Sequence, residues 1–386
     1  MRILLFTGKG GVGKTTTAAG TAALAAARGR RTLVLSTDAA HSLGDAFAAP
    51  VGSEPTEVAE RLFVQQVDAQ RRFEESWNEL QSYLKSVLDA AGVDPITAEE
   101  LTVLPGAEEV LALLELRAQV RSGRWDVVVV DCAPTAETLR LLALPEALGW
   151  YMDRILPAER RLVRTLRPVL TRAAGVPMPA DPVFDAVERL HADLAEVQQL
   201  LTEGTTSVRV VLTPESVVLA EARRSLTTLT MFGYRVDGVV ANRVFPTGGA
   251  DPWRQGWVES QQKVLAEVAT SFDGVPVWHA PFLPEEPVGV AALTAAAEQA
   301  YAGTDPLAIA ERADPLTVRR TPRGMVLRLE LPFVDKDDVD LARPGDELVV
   351  TVGTYRRVLA LPAALRQRPV RGARVDRGAL VVRFGD

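Results

Sequence analysis

Gly8-Lys9-Gly10-Gly11-Val12-Gly13-Lys14-Thr15 has the spacing of a phosphate-binding loop, two glycines five apart followed by lysine and threonine. Glycines at those places let the backbone turn tightly, so that successive N–H groups can face phosphate oxygens at the opening of a helix. Lys14 is then the cation for the β- and γ-phosphates, Thr15 a magnesium ligand, and Thr16 a further member of the cradle. A glycine-rich turn can also be only a turn. Here the apolar run Ile3 to Phe6 precedes it and the alanine-rich stretch Thr15 to Ala27 follows, and strand, loop and helix together are the context that the phosphate site requires. Lys9 is a second lysine that the basic motif does not need.

Two carboxylates complete the chemistry. Asp38, in Ser36-Thr37-Asp38-Ala39-Ala40-His41-Ser42, directly follows an apolar run. A carboxylate at the carboxyl end of a parallel strand points into the crevice that holds the phosphates, so Asp38 is a candidate to orient or deprotonate the attacking water. A helix cap is the alternative use of the same residue. His41 is not assigned a role. Asp131 closes the run Trp125-Asp126-Val127-Val128-Val129-Val130 in the Walker B manner and is the second candidate magnesium ligand, with Pro134-Thr135 opening a loop beside the γ-phosphate. Cys132 reads as packing, since a thiol at the end of a buried strand behaves as a small hydrophobe.

The elements that must position these groups are legible as short Val- and Leu-rich runs: Ile3–Phe6, Thr32–Ser36, Val127–Val130, Val208–Leu212, Val236–Ala241 and Val275–Trp278. Continuous apolar strands alternating with helices indicate an α/β fold, a doubly wound, mostly parallel sheet covered on both faces. The expected fold is a P-loop NTPase with a deviant Walker A loop. Two helical insertions, about residues 44–124 and 145–204, form a subdomain. Within the first, Arg61 to Ala91 and Ala107 to Val120 have apolar residues at helical spacing. From Leu316 the pattern alternates apolar and polar residues between Gly, Pro and Asp clusters, in the runs Met325–Leu331, Glu347–Val352, Tyr355–Leu361 and Ala379–Phe384, as in a small all-β sandwich. The reading is therefore an ATPase domain over 1–303, a linker over 304–315 and a sandwich over 316–386.

Composition narrows the partners. A net charge of −7 argues against nucleic acid or an anionic membrane as the main partner, and Arg160-Arg161 and Arg319-Arg320 read as solvated faces. One cysteine in 386 residues excludes an internal disulfide or a paired-cysteine metal site. No uncharged apolar run approaches the roughly 20 residues that a membrane-spanning helix needs, and no signal peptide precedes the loop, so the expectation is a cytoplasmic protein without stable membrane insertion.

Taken together, GKGGVGKT (8–15), STDAAHSLGDAF (36–47), LPGAEE (104–109), DCAPTAETLRLL (131–142), TPESVVLAEARR (213–224) and VANR (240–243) resemble the ArsA-type ATPases, which include the arsenite-pump ATPase and the ATPase that delivers tail-anchored membrane proteins. The resemblance covers roughly residues 1–303. It implies a homodimer using ATP and Mg²⁺, in which Lys9 reaches the phosphates of the other subunit and Asp38 serves the attacking water. It also implies that Asn242 contacts adenine, that Glu221 is an acid near the subunit interface, and that residues 281–289 form the loop beside the base. The chain departs from the pattern at Ala39, usually proline, and Cys132, usually threonine. It lacks the cysteine pair that clamps the carrier with zinc and the cysteines that bind arsenite, so neither zinc nor thiolate-bound arsenite is expected. Five methionines are few for a client-binding surface of the carrier type.

Residues 329–339, 355–362 and 377–384 resemble the α-crystallin domain of small heat-shock proteins, with a generic sandwich as the alternative. The combined expectation is an ATP-hydrolysing homodimeric carrier or chaperone whose nucleotide-driven closure is coupled to an apolar client. The alternatives are the ATPase subunit of an arsenite-like anion pump and a spatial-organiser ATPase.

Overall fold

The computed structural model describes residues 1–37, 42–67, 107–132, 181–248, 251–309, 314–322 and 324–385. Its centre is an eight-stranded sheet in the order β3-β4-β2-β5-β1-β6-β7-β8. The strands are β1 (Arg2–Thr7), β2 (Thr32–Ser36), β3 (Thr56–Ala59), β4 (Leu62–Gln66), β5 (Val127–Asp131), β6 (Thr206–Leu212), β7 (Val236–Val244) and β8 (Val277–Pro281). Every neighbouring pair is parallel except β3 with β4. β1, β2, β5 and β6 are buried along their whole length, which is why they read as unbroken apolar runs: both faces of a parallel sheet are covered.

The β3–β4 hairpin departs from the sequence reading, which put residues 44–124 in a helical insertion and began a helix at Arg61. Leu62–Gln66 is instead a strand laid in register beside β2, with Thr32 opposite Leu62 and Ser36 opposite Gln66. Arg61, in the left-handed region at φ 62°, turns the hairpin. Burial beside β2 outweighs the local helical spacing. The rest of the expected helix, residues 68–91, lies outside the described residues.

Helices α1 (Lys14–Ala27), α2 (Ser42–Phe47), α3 (Ala107–Arg121), α4 (Asp181–Thr202), α5 (Ser216–Met231), α6 (Pro252–Ser271) and α7 (Val290–Tyr301) connect the strands. The chain divides into two compact units, one of residues 1–66, 122–140 and 201–386, the other of 67–121 and 141–200. In the second unit Arg117 of α3 pairs with Asp193 at 2.8 Å and Glu196 at 2.5 Å. The hydrogen bond to Arg117 holds the Glu196 carboxyl below the ordinary glutamate value.

Beneath the first unit's sheet lies a buried charge cluster. Asp237 accepts from Arg2 at 2.7 Å and from Arg209 at 2.8 Å. Burial works against the charge of Arg209, but Tyr301 and Asp237 more than offset it and its pKa stands above the ordinary arginine value. Arg2 is pulled the other way, chiefly by burial.

The first unit also contains the C-terminal sandwich. A four-stranded antiparallel sheet, β14-β15-β10-β9, faces a three-stranded one, β11-β12-β13. They comprise β9 (Leu316–Thr321), β10 (Gly324–Glu330), β11 (Val339–Ala342), β12 (Glu347–Val352), β13 (Tyr355–Ala360), β14 (Val370–Val375) and β15 (Ala379–Phe384), with the short α8 (Ala363–Arg366) after β13. Alternate residues Leu327 and Leu329, Leu348 and Val350, and Leu380 and Val382 turn inward to a common core, as period-two strands with one solvated face require. Met231, from the end of α5, belongs to that same core.

Candidate active site

The loop after β1 is shaped by what surrounds it. A Cβ on Gly8 would stand 2.1 Å from the carbonyl oxygen of Val211, so β6 admits only glycine there. Gly13 caps α1 in the left-handed conformation at φ 89°, and a Cβ on it would meet Asn242 Nδ2 at 2.3 Å. Asn242 stands near the end of β7 and donates from Nδ2 to the Val12 carbonyl at 2.8 Å, while its Oδ1 accepts from Arg243 N at 2.9 Å. The residue that the family resemblance implies against adenine thus also braces the phosphate loop. Its amide retains one hydrogen and a lone pair for a ligand.

The two lysines are used differently. Lys14 is 7% exposed and its Nζ reaches back to the Lys9 carbonyl at 3.4 Å. The Lys9 ammonium turns to α5, where Glu221 Oε2 is 3.9 Å away, and both side chains remain partly exposed. The structure therefore brings Lys9 and Glu221 together within one chain.

Thr15 at the start of α1 has its hydroxyl 3.2 Å from that of Ser42, the first residue of α2. Ser42 had no assigned role in the sequence; its signal is its place in the segment 36–47, at the start of the helix that follows Asp38. Asp38 and His41 themselves lie outside the described residues, as do Pro134 and Thr135. Asp131 ends β5, fully buried, level with Phe6 of β1 and Ser36 of β2. Its carbonyl accepts from Thr37 N at 3.0 Å, tying the start of the Asp38 segment to the end of β5. Cys132 is 2% exposed and packs in the core.

A cleft of about 350 Å³ opens beside the loop, lined by Gly13, Thr16, Thr17, Asn242, Phe282 and Tyr301 among others. That volume falls within the range of small-ligand sites. Its wall is stiffened by stacking of Phe282 on Phe245, centroids 5.0 Å apart and ring planes nearly parallel. Tyr301 is the other residue that sequence reasoning passed over. Its hydroxyl lies 2.7 Å from Thr21 of α1 and accepts from Arg209 at 3.0 Å, so the helix behind the phosphate loop is tied to the buried charge cluster. Nothing in the local sequence marks that link, because its members come from α1, β6 and α7.

Residues 1–302 match the family described as anion-transporting ATPase. The chain belongs to the ArsA family of ATPases. Residues 322–384 match the HSP20-like domain found in ArsA. Among similar proteins, the putative arsenical pump-driving ATPase 1 of Aquifex aeolicus is 34% identical over 99% of each chain. The putative arsenical pump-driving ATPase of Chlorobaculum tepidum is 36% identical over 95% of this chain and 91% of its own. The ATPase ASNA1 homolog of Trypanosoma cruzi is 30% identical over 74% of this chain and 87% of its own. This ArsA-family protein is an ATP hydrolase whose nucleotide loop stands on a mostly parallel sheet and which carries an all-β C-terminal part. No described helix is long and apolar enough to cross a membrane.

Proposed function

We propose that the protein is a homodimeric, cytoplasmic carrier or chaperone ATPase in which ATP draws two copies together and the helical insertions hold or release an apolar client. The observation that carries this reading is Lys9. Its ammonium lies on Glu221, 3.9 Å away, rather than on its own loop, and both groups are partly exposed, so Lys9 is available to a second subunit at the loss of one weak ion pair. Lys14 and the backbone N–H groups of residues 8–15 bind the subunit's own phosphates, and Asn242 and the 281–289 loop hold the base. Thr15 and Asp131 are hard oxygen donors of the type that magnesium takes, and they would hold it; bound there, the ion neutralises charge developing on the β- and γ-phosphates. Asp38 orients the attacking water and accepts its proton.

The test is single-turnover ATP hydrolysis measured against protein concentration. The wild-type rate rises with concentration as dimers form. Lys9→Ala removes the rise and lowers the limiting rate about 10²-fold, the loss typical of one preorganised transition-state donor. Asp38→Asn lowers hydrolysis by about 10²-fold or more while nucleotide still binds. Unchanged rates in both variants would sink the mechanism.

A second reading, an ATPase that drives an arsenical pump, is favoured by the names of the Aquifex and Chlorobaculum relatives. The single, buried Cys132 cannot supply a set of thiolates for arsenite. Arsenite and antimonite are therefore expected to leave the ATPase rate unchanged; stimulation by either would turn the argument to the pump.

A further inference from the structure

Helix α5 is held at its two ends by different parts of the molecule. Near its start, Glu221 faces Lys9. Its end is held by the sandwich. Arg357 of β13 is 8% exposed and donates from Nη1 to the carbonyl oxygen of Met231, the last residue of the helix. Met231 is 1% exposed and packs in the sandwich core with Leu327, Leu348 and Leu359. Thr227 donates to the Pro332 carbonyl at 2.6 Å, the Arg223 guanidinium lies 5.7 Å over the Phe333 ring, and Phe232 meets Tyr355 edge-on at 6.5 Å. Positions 223, 227 and 231 recur every four residues, so one stripe of the helix carries these attachments. A guanidinium at a helix C-terminus satisfies carbonyls that lack intrahelical partners and meets the negative end of the dipole. The sandwich thus supplies both the cap and the apolar seat of a helix that belongs to the ATPase.

We propose that the C-terminal sandwich is a positioning element for the nucleotide loop. By fixing the end of α5, with Arg357 as the positioning residue, it sets where Glu221 stands and so how firmly Lys9 is held within its own subunit. About ten residues separate Glu221 from Met231, a rod of roughly 15 Å at 1.5 Å per residue; the sandwich's hydrogen-bonded hold on it begins at Thr227, while Arg223 hydrogen-bonds Ser271 and Glu267 of α6. Loosening the end of α5 therefore releases Lys9. The consequence for hydrolysis rests on the trans role proposed above for Lys9; the coupling of Arg357 to Lys9 does not.

The coupling is measured by competitive acylation of lysines in the full-length, nucleotide-free protein, read by mass spectrometry, with exposed Lys263 and Lys336 as internal references. An ammonium seated on a carboxylate must leave it before it reacts, so release shows as faster labelling of Lys9. Glu221→Gln is expected to raise the Lys9 rate about 2- to 5-fold, the equivalent of one exposed ion pair. Arg357→Ala raises it in the same direction, Arg357→Lys restores it because a cation remains at the helix end, and Glu221→Gln with Arg357→Ala is no faster than Glu221→Gln alone. Thr227→Val, a gentler loss of one attachment, also raises it. A wild-type Lys9 rate in both Arg357→Ala and Thr227→Val, additivity in the double variant, or equal acceleration of Lys263 and Lys336 would overturn the proposal. If Lys9 labelling responds while ATPase shows no dependence on protein concentration, the coupling stands and the trans role of Lys9 falls.

Discussion

Asn242, proposed above to hold the base, also braces the loop proposed to bind the phosphates. Its amide fixes the Val12 carbonyl and stands where a Cβ on Gly13 would go, 2.3 Å from Nδ2. Gly13 also holds a positive φ of 89°, which L side chains rarely adopt. An alanine there brings strain of about 1 to 3 kcal/mol and displaces Asn242 from both the loop and the cleft. Gly13→Ala is accordingly expected to lower the melting temperature and to weaken binding of a fluorescent ATP analogue at least about 10-fold, the affinity equivalent of 1.4 kcal/mol. Gly11→Ala separates these effects. Gly11 shares the positive φ, at 79°, but its Cβ meets no atom within 4 Å of the protein, so it bears the strain alone and its melting temperature falls less than that of Gly13→Ala. An equal fall in stability for the two variants would show that crowding by Asn242 is not what demands glycine at position 13.

The helices and strands differ in how much of their role is visible in the chain. β1, β2, β5 and β6 carry unbroken apolar runs because the sheet is covered on both faces, and the loop after β1 announces itself by its glycines and lysine. β3 and β4 were hidden, since the residues around Arg61 have helical spacing and only pairing beside β2 selects the strand. In the sandwich, the inward alternation of β10, β12, β13 and β15 is plain. β9, β11 and β14 are half-exposed edge strands with too few buried positions to stand out. The site divides in the same way. Lys9, Lys14, Thr15 and Asp131 lie in local motifs, and Asn242 and Glu221 became visible only through resemblance to a family. Tyr301 and Arg357 act through partners remote in sequence, 280 residues away at Thr21 and 126 away at Met231, and no local pattern encodes such contacts. Helix α5 is the extreme case: its sequence records an amphipathic helix, while its contacts with Lys9 and with the sandwich exist only in the fold.

For the molecule as a whole, the consequence is that the sandwich and the end of α5 share one core. Met231 is as deeply buried among the leucines of the sandwich as those leucines are among themselves, and the backbone of α5 ends on a guanidinium that the sandwich provides. Segments with a common core open together, and hydrogen exchange reports the free energy of that opening. Amides of β10 and β12 and those in the last turns of α5 are therefore expected to exchange with matching protection in the full-length protein. Met231→Ala deletes most of the shared side chain and should cost about 2 kcal/mol or more, which accelerates exchange roughly 30-fold in α5 and in the sandwich strands alike. The amides of β1 and β5, buried in the central sheet, keep their protection. Acceleration confined to α5, with the sandwich strands unmoved, would mean that the sandwich is a self-sufficient domain resting against the ATPase. It would then have no purchase on the helix that faces Lys9.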